Sequence, residues 1–191
     1  MDSRWIAGSG RLAAARQVPS PNHDLRPQGA LVDLLVVHFI SLPPGRFGGD
    51  DIERLFTNRL DHDAHPFYAQ LRNVRVSAHF LIRRRGELVQ FVDCERRAWH
   101  AGASSFEGRE RCNDFSIGVE LEGDEHSRFT NAQYVKLASL TKRLARRYPL
   151  RWVVGHSDIA PGRKADPGPN FDWDRFLRGI SESNLQAPYL V

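Results

Sequence analysis

Five ionisable residues stand out because each lies near the end of an apolar run or in the loop beyond one. His38 sits near the end of Leu34 to Ile40, just before Ser41-Leu42-Pro43-Pro44-Gly45. His156, Lys164 and Asp166 share the stretch Gly155 to Pro169, which three prolines and three glycines interrupt. Glycine and proline fix a backbone locally, so such a loop can aim ionisable groups without a helix to carry them. Loops placed by a scaffold are also where chemistry concentrates. Glu120 lies inside the strand-like run Phe115 to Leu121, where a carboxylate needs a partner, a proton or a metal-held water to be buried. Taken singly, His156 or Asp166 reads as an ordinary solvated loop residue, and His38 reads as a core histidine as readily as a ligand.

Taken together, His38, His156 and Asp166 are a donor set that zinc accepts. Catalytic zinc is commonly held by three nitrogen or oxygen ligands, with the fourth position left to a water whose pKa falls to ~7. Glu120 would orient that water and take its proton, and Lys164 would place positive charge at the oxyanion of a tetrahedral intermediate. That is the apparatus for hydrolysing an amide. The same donors also describe a non-haem iron(II) site. Spacing alone does not separate the two, since the ligands do not lie on an HExxH helix.

The elements that must position these residues follow from hydrophobic patterning. Leu31 to Ile40 is nearly continuous and valine-rich, the pattern of a central strand buried on both faces. Val76 to Ile82 and Glu87 to Val92 form a hairpin around Arg83-Arg84-Arg85-Gly86. Phe115 to Leu121 and Trp152 to Val154 are further strands. Thr130 to Tyr148 is a helix with Thr130 and Gln133 spaced as a capping box and a buried stripe through Tyr134, Leu137, Leu140 and Leu144. Asp50 or Asp51 caps a short helix through Ile52, Leu55 and Phe56, and Asp172 caps a last one containing Trp173 and Phe176. Residues 58 to 74 read as loop, and Trp99 to Asn113 as a long irregular segment of the functional or covering kind. Irregular alternation of strands and helices predicts an α/β single domain, a central mixed β-sheet flanked by helices. The expected divisions are an irregular lead-in over 1–30, the domain over 31–181 and a frayed tail over 182–191.

Composition narrows the class. At 191 residues the chain is one domain with room for a substantial core. With 41% hydrophobic and 26% charged residues it is neither disordered nor fibrous. Its longest apolar run contains His38 and falls far short of the ~20 residues that a bilayer requires, so no membrane partner is expected. Met1 to Arg16 lacks the apolar core of a signal peptide, which places the protein in the cytoplasm, with Cys94 and Cys112 as free thiols. The net charge is +4, carried by Arg83-Arg84-Arg85, Arg96-Arg97 and the Lys142 to Arg147 cluster. No nucleic-acid recognition motif accompanies these patches, so no nucleic acid is expected; solvated faces, or steering of an anionic small substrate, explain them.

Five segments also carry a resemblance: Val37-His38 with the Ser41 to Gly45 loop, Arg75-Val76-Ser77-Ala78-His79, Arg97-Ala98-Trp99-His100-Ala101-Gly102, Gly108 to Gly123 including Arg111 and Glu120, and Gly155 to Pro169. In this order they resemble the N-acetylmuramoyl-L-alanine amidase family, related to peptidoglycan-recognition proteins and phage T7 lysozyme. The resemblance implies that family's fold, one Zn2+ per chain, and cleavage of the amide between 1,6-anhydro-N-acetylmuramic acid and L-alanine of muropeptides in cytoplasmic peptidoglycan recycling. In some Gram-negative bacteria that recycling sets inducer levels for β-lactamase expression. It further implies His38, His156 and Asp166 as zinc ligands, Glu120 as general base and Lys164 as transition-state stabiliser. Arg75 and Arg111 would hold stem-peptide carboxylates, as guanidinium forks do, and Trp99 is a substrate-binding candidate at the sugar. Phe39 departs from the pattern, standing where an asparagine would hydrogen-bond substrate. A monomer is expected. The alternative is a non-catalytic module that binds peptidoglycan fragments; such modules typically lack the full ligand set, which is complete here.

Overall fold

The computed structural model describes residues 4–189. In chain order the strands are β1 (Arg16–Gln17), β2 (His23–Leu25), β3 (Leu34–Ile40), β4 (Phe80–Ile82), β5 (Leu88–Gln90), β6 (Arg96–Ala98), β7 (Ser105–Phe106), β8 (Arg109–Glu110), β9 (Ser116–Glu122) and β10 (Trp152–Gly155). The helices are α1 (Asp51–Phe56), α2 (Asn131–Arg147), α3 (His156–Ile159) and α4 (Trp173–Gly179). Six strands make one sheet in the order β1-β5-β4-β9-β3-β10. Only the β4–β5 hairpin is antiparallel; the other neighbours run parallel. The fold is therefore the expected mixed α/β domain.

Strands β3 and β9 are central because their residues can be buried on both faces. Leu35, Val37, Ile117, Val119 and Val153 share one core with Leu137, Leu140 and Leu144 of α2. The alternate residues face the other way: Leu34, Val36 and Val154 pack with Phe106, Phe115 and Ile159, while Leu81 and Val89 meet Ile52, Leu55 and Phe56 of α1. Period-two alternation thus divides every central strand between two covering layers. The capping box forms at α2: Thr130 Oγ1 accepts from Gln133 N, and Gln133 Oε1 accepts from Thr130 N at 3.0 Å. The buried Gln133 amide also donates to the carbonyls of Ile82 and Glu122, which fixes the helix on the sheet.

Several elements differ from the sequence expectation. Asp50 makes no capping bond to α1, and Asp51 instead accepts from the Tyr68 hydroxyl at 2.8 Å. Residues 66–71 form a 3-10 helix whose first turn is capped by the His65 ring. The lead-in is partly ordered into the domain: β1 extends the sheet, β2 pairs with β6, and Arg26 donates to the carbonyls of Cys94, Asn113, Asp114 and Ser116. The tail does not fray at Gln186, which bridges Trp152 at the sheet edge. The first three residues of the lead-in and the last two of the tail lie outside the described residues. Both cysteines are free thiols, and both are buried.

Arg83, read from sequence as part of a basic surface patch, is buried. It pairs with Glu53 at 2.5 Å and Glu122 at 3.2 Å, and Glu53 also receives Arg16 at 2.6 Å. Burial alone would raise the Glu53 carboxyl, but Arg16 and Arg83 hold it below its usual value. Its contribution to stability is thus present above the unfolded value of ~4.3 and disappears as pH falls through the lower folded value. Replacing Arg83 by Met leaves two buried carboxylates short of a cation and is expected to cost about 3–5 kcal/mol at neutral pH. Urea denaturation measures this, and a loss below about 1 kcal/mol would show that the pairs behave as surface ion pairs.

Candidate metal centre

Sheet register brings the site together. In the parallel β3–β9 pair His38 lies opposite Glu120, and in β3–β10 Gly155 lies opposite Val37. His156 follows Gly155 as the strand passes into α3, so it emerges level with His38. The loop then returns Asp166 to the same point. Ser157 N donates to the Asp166 carbonyl at 2.8 Å, and Asp158 Oδ2 accepts from Gly155 N at 2.7 Å. Gly155 is required by close approach, since a Cβ there would lie 2.6 Å from the Pro167 ring.

Three donor atoms converge. Asp166 Oδ2 lies 2.9 Å from His38 Nδ1 and 3.0 Å from His156 Nδ1, and the two Nδ1 atoms are 3.0 Å apart. All three residues are buried. His156 Nε2 donates to the Ala101 carbonyl at 3.0 Å; a carbonyl only accepts, so in the neutral ring the Nδ1 lone pair is the one that faces the cluster. Burial pushes the His38 ring down to about 4. Burial alone would raise the Asp166 carboxyl; a hydrogen bond from His156 or His38, which exists only while that ring's proton sits on Nδ1, lowers it. Tetrahedral ligands at ~2.0–2.2 Å from one zinc lie roughly 3.3 Å apart, so these atoms need move only tenths of an ångström to share an ion. The donor set fits a metal.

Glu120 borders the cluster. It is buried, and its Oε2 has no hydrogen-bond partner among the described residues. Burial and then Asp166 push its carboxyl well up, while the Lys164 charge opposes them. Lys164 itself is exposed on the loop, and its charge also acts on His38. Arg111 has left-handed backbone, φ 61°, an ion pair with Asp114 at 3.2 Å, and a place on the rim of a hollow of about 500 Å³ with Ser104 and Arg163. Arg75 is not brought to that hollow: it is exposed and donates to the carbonyls of Arg72 and Val74 in its own loop. Trp99 is half-buried, and Arg97 first, with Trp99 as a lesser neighbour, holds the Asp24 carboxyl below its usual value. Phe39 packs against the α2-side core, and a Cβ on Gly168 would lie 3.3 Å from its ring. It therefore bears on the loop that carries Asp166.

His100 has no role in the sequence reading, yet its Nδ1 lies 3.0 Å from His38 Nε2. Its ring fills the space beside Gly118, where a Cβ would lie 2.5 Å away. A glycine inside an apolar strand signals such an approach, and this was the clue that could have located it.

The family model for N-acetylmuramoyl-L-alanine amidase matches residues 28–169, a span that contains every residue of this cluster. The chain belongs to the N-acetylmuramoyl-L-alanine amidase family. A relative in that family, the 1,6-anhydro-N-acetylmuramyl-L-alanine amidase AmpD of Enterobacter cloacae, is 58% identical over 178 residues, covering 92% of this chain and 95% of its own. A crystal structure of a selenomethionine AmpD derivative aligns with a TM-score of 0.88 and 55% identity, covering 92% of this chain and 99% of its own. The N-acetylmuramyl-L-alanine amidase AmiD from E. coli, solved with anhydro-N-acetylmuramic acid-L-Ala-D-gamma-Glu-L-Lys, aligns with a TM-score of 0.59 and 30% identity, over 85% of this chain and 62% of its own. The amidase fold is thus shared well beyond the cluster.

In this amidase-family chain the Gly118 contact yields a direct test. Gly118→Ala drives a methyl into the His100 ring and is expected to cost about 1–3 kcal/mol, read as a lowered denaturation midpoint. An unchanged midpoint would show that the ring is free to move aside.

Proposed function

We propose that this chain is a zinc-dependent amidase that hydrolyses the bond between 1,6-anhydro-N-acetylmuramic acid and the L-alanine of muropeptides in cytoplasmic peptidoglycan recycling. The observation that carries the reading is the convergence of His38, His156 and Asp166 beside the unpartnered, buried Glu120. A module that only bound peptidoglycan fragments would need neither. The named substrates of the relatives supply the sugar and peptide chemistry, and two buried free thiols suit a reducing compartment. We place the catalytic unit in residues 31–181.

His38 and His156 through Nδ1, and Asp166 through Oδ2, would hold the ion. Zinc bound there supplies a Lewis acid for the amide carbonyl and lowers the pKa of a water to ~7. Glu120 takes a proton from the attacking water and delivers it to the departing alanine nitrogen; its buried Oε2, lacking a hydrogen-bond partner among the described residues, is available for both transfers. A cation at the cluster favours the ionised form that this role requires. Lys164 places its charge at the tetrahedral oxyanion. Arg111, on the rim of the hollow, receives a stem-peptide carboxylate. Arg75 serves the same purpose only by leaving its own loop, and Trp99 contributes at the sugar.

Glu120→Ala is expected to retain zinc while turnover falls about 10²–10⁴-fold, whereas Asp166→Ala loses the metal as well. Metal analysis with product release followed by mass spectrometry separates the two, and equally tight zinc in both variants would contradict the assigned roles. For Arg111→Ala, KM for peptide-bearing substrate should rise with kcat little changed; an unaltered KM would remove the carboxylate clamp.

A further inference from the structure

Both histidines of the cluster are served by two consecutive residues of one loop. His156 Nε2 donates to the carbonyl of Ala101 at 3.0 Å, and His38 Nε2 lies 3.0 Å from Nδ1 of His100. A single side chain fixes this pair of residues: Asn113 Oδ1 accepts from the backbone N–H of His100 at 3.1 Å and of Ala101 at 2.8 Å. On its far side the His100 ring places Nε2 at 3.2 Å from Ser116 Oγ. Beneath it Gly118 leaves the room that any larger residue would occupy.

We infer that this brace, His100 and Ala101 held by Asn113, sets the tautomer of both histidine ligands, with His100 as the positioning residue for His38. The inference rests on the reading of the cluster as a metal site. An imidazole offers a lone pair from Nδ1 only when its proton sits on Nε2. His156 meets that condition because Ala101 can only accept. His38 meets it when His100 Nδ1 accepts the His38 Nε2 proton, which places the His100 proton on Nε2, where Ser116 Oγ accepts it. The three groups form a directed chain with one consistent arrangement of protons. Without an acceptor at His100, the His38 ring loses what selects its tautomer and its rotation about χ2. Outer partners of ligating histidines are typically worth 10–100-fold in metal affinity.

A packing role and an orienting role respond oppositely to two substitutions. His100→Phe keeps the ring volume against Gly118 and removes the acceptor; His100→Asn loses volume but sets an amide oxygen near the position of Nδ1. Zinc affinity of the folded chain, measured by competition with a chromophoric chelator, is expected to fall 10–100-fold in His100→Phe and to recover most of that loss in His100→Asn. Far-UV circular dichroism confirms that both variants are folded. Wild-type affinity in His100→Phe, or His100→Asn as weak as His100→Phe, would overturn the inference while leaving the metal reading intact. Failure of the unmutated chain to bind zinc would overturn the metal reading and this inference with it.

Discussion

One carboxylate oxygen held between two imidazole nitrogens, at 2.9 and 3.0 Å, is the interaction on which the rest of the site depends. Asp166 is buried, and a carboxylate removed from water is costly unless its charge is met. A neutral ring meets part of it only while its proton sits on Nδ1. His156, oriented by the Ala101 carbonyl, has its lone pair turned inward rather than a proton, so the cluster is short of positive charge and well arranged to accept a cation. Glu120, with an unpartnered oxygen at the same place, adds to that demand.

Such convergence needs a rigid frame, and the parallel sheet provides it. His38 and Glu120 are level because β3 and β9 pair in register over their full length. A slip of one residue would turn both side chains into the apolar layer beneath α2. The layers resist that slip: Leu35, Val37, Val119 and Leu121 are fully buried against α2 and its surroundings, and the Gln133 amide ties the helix to the ends of β4 and β9. The loop that delivers Asp166 is braced as well, through Ser157, the Pro167 ring on Gly155, and Phe39 against Gly168. Phe39 thus has a structural use where an asparagine was expected from the family pattern.

Much of this was legible in the sequence where a local rule decides the outcome. The apolar run of β3, the β4–β5 hairpin and the Thr130–Gln133 capping box each depend on neighbouring residues; the box forms as expected, and the strands lie within the expected stretches but are shorter, the hairpin's being Phe80–Ile82 and Leu88–Gln90. His38, His156 and Asp166 stand near strand ends in the sequence, and the sheet brings those ends together. What was not legible depends on contacts between distant segments. Arg83 reads as surface charge until Glu53 and Glu122 are seen beside it. Asp50 or Asp51 looks like a helix cap, but Asp51 takes the Tyr68 hydroxyl, 17 positions away, instead. Gln186 pairs with the sheet edge by an interaction that composition does not encode. His100 carries no local signal because its importance comes from His38, 62 positions away.

The proposed amidase reaction requires one zinc ion held by His38, His156 and Asp166. Elemental analysis of the purified chain, paired with turnover of anhydro-muropeptide before chelation, after it and after zinc is restored, tests this most directly. One zinc per chain, loss of peptide release on chelation and its return with zinc are expected. Full peptide release by the metal-free protein, or stoichiometric iron in place of zinc with activity that zinc cannot restore, would contradict it.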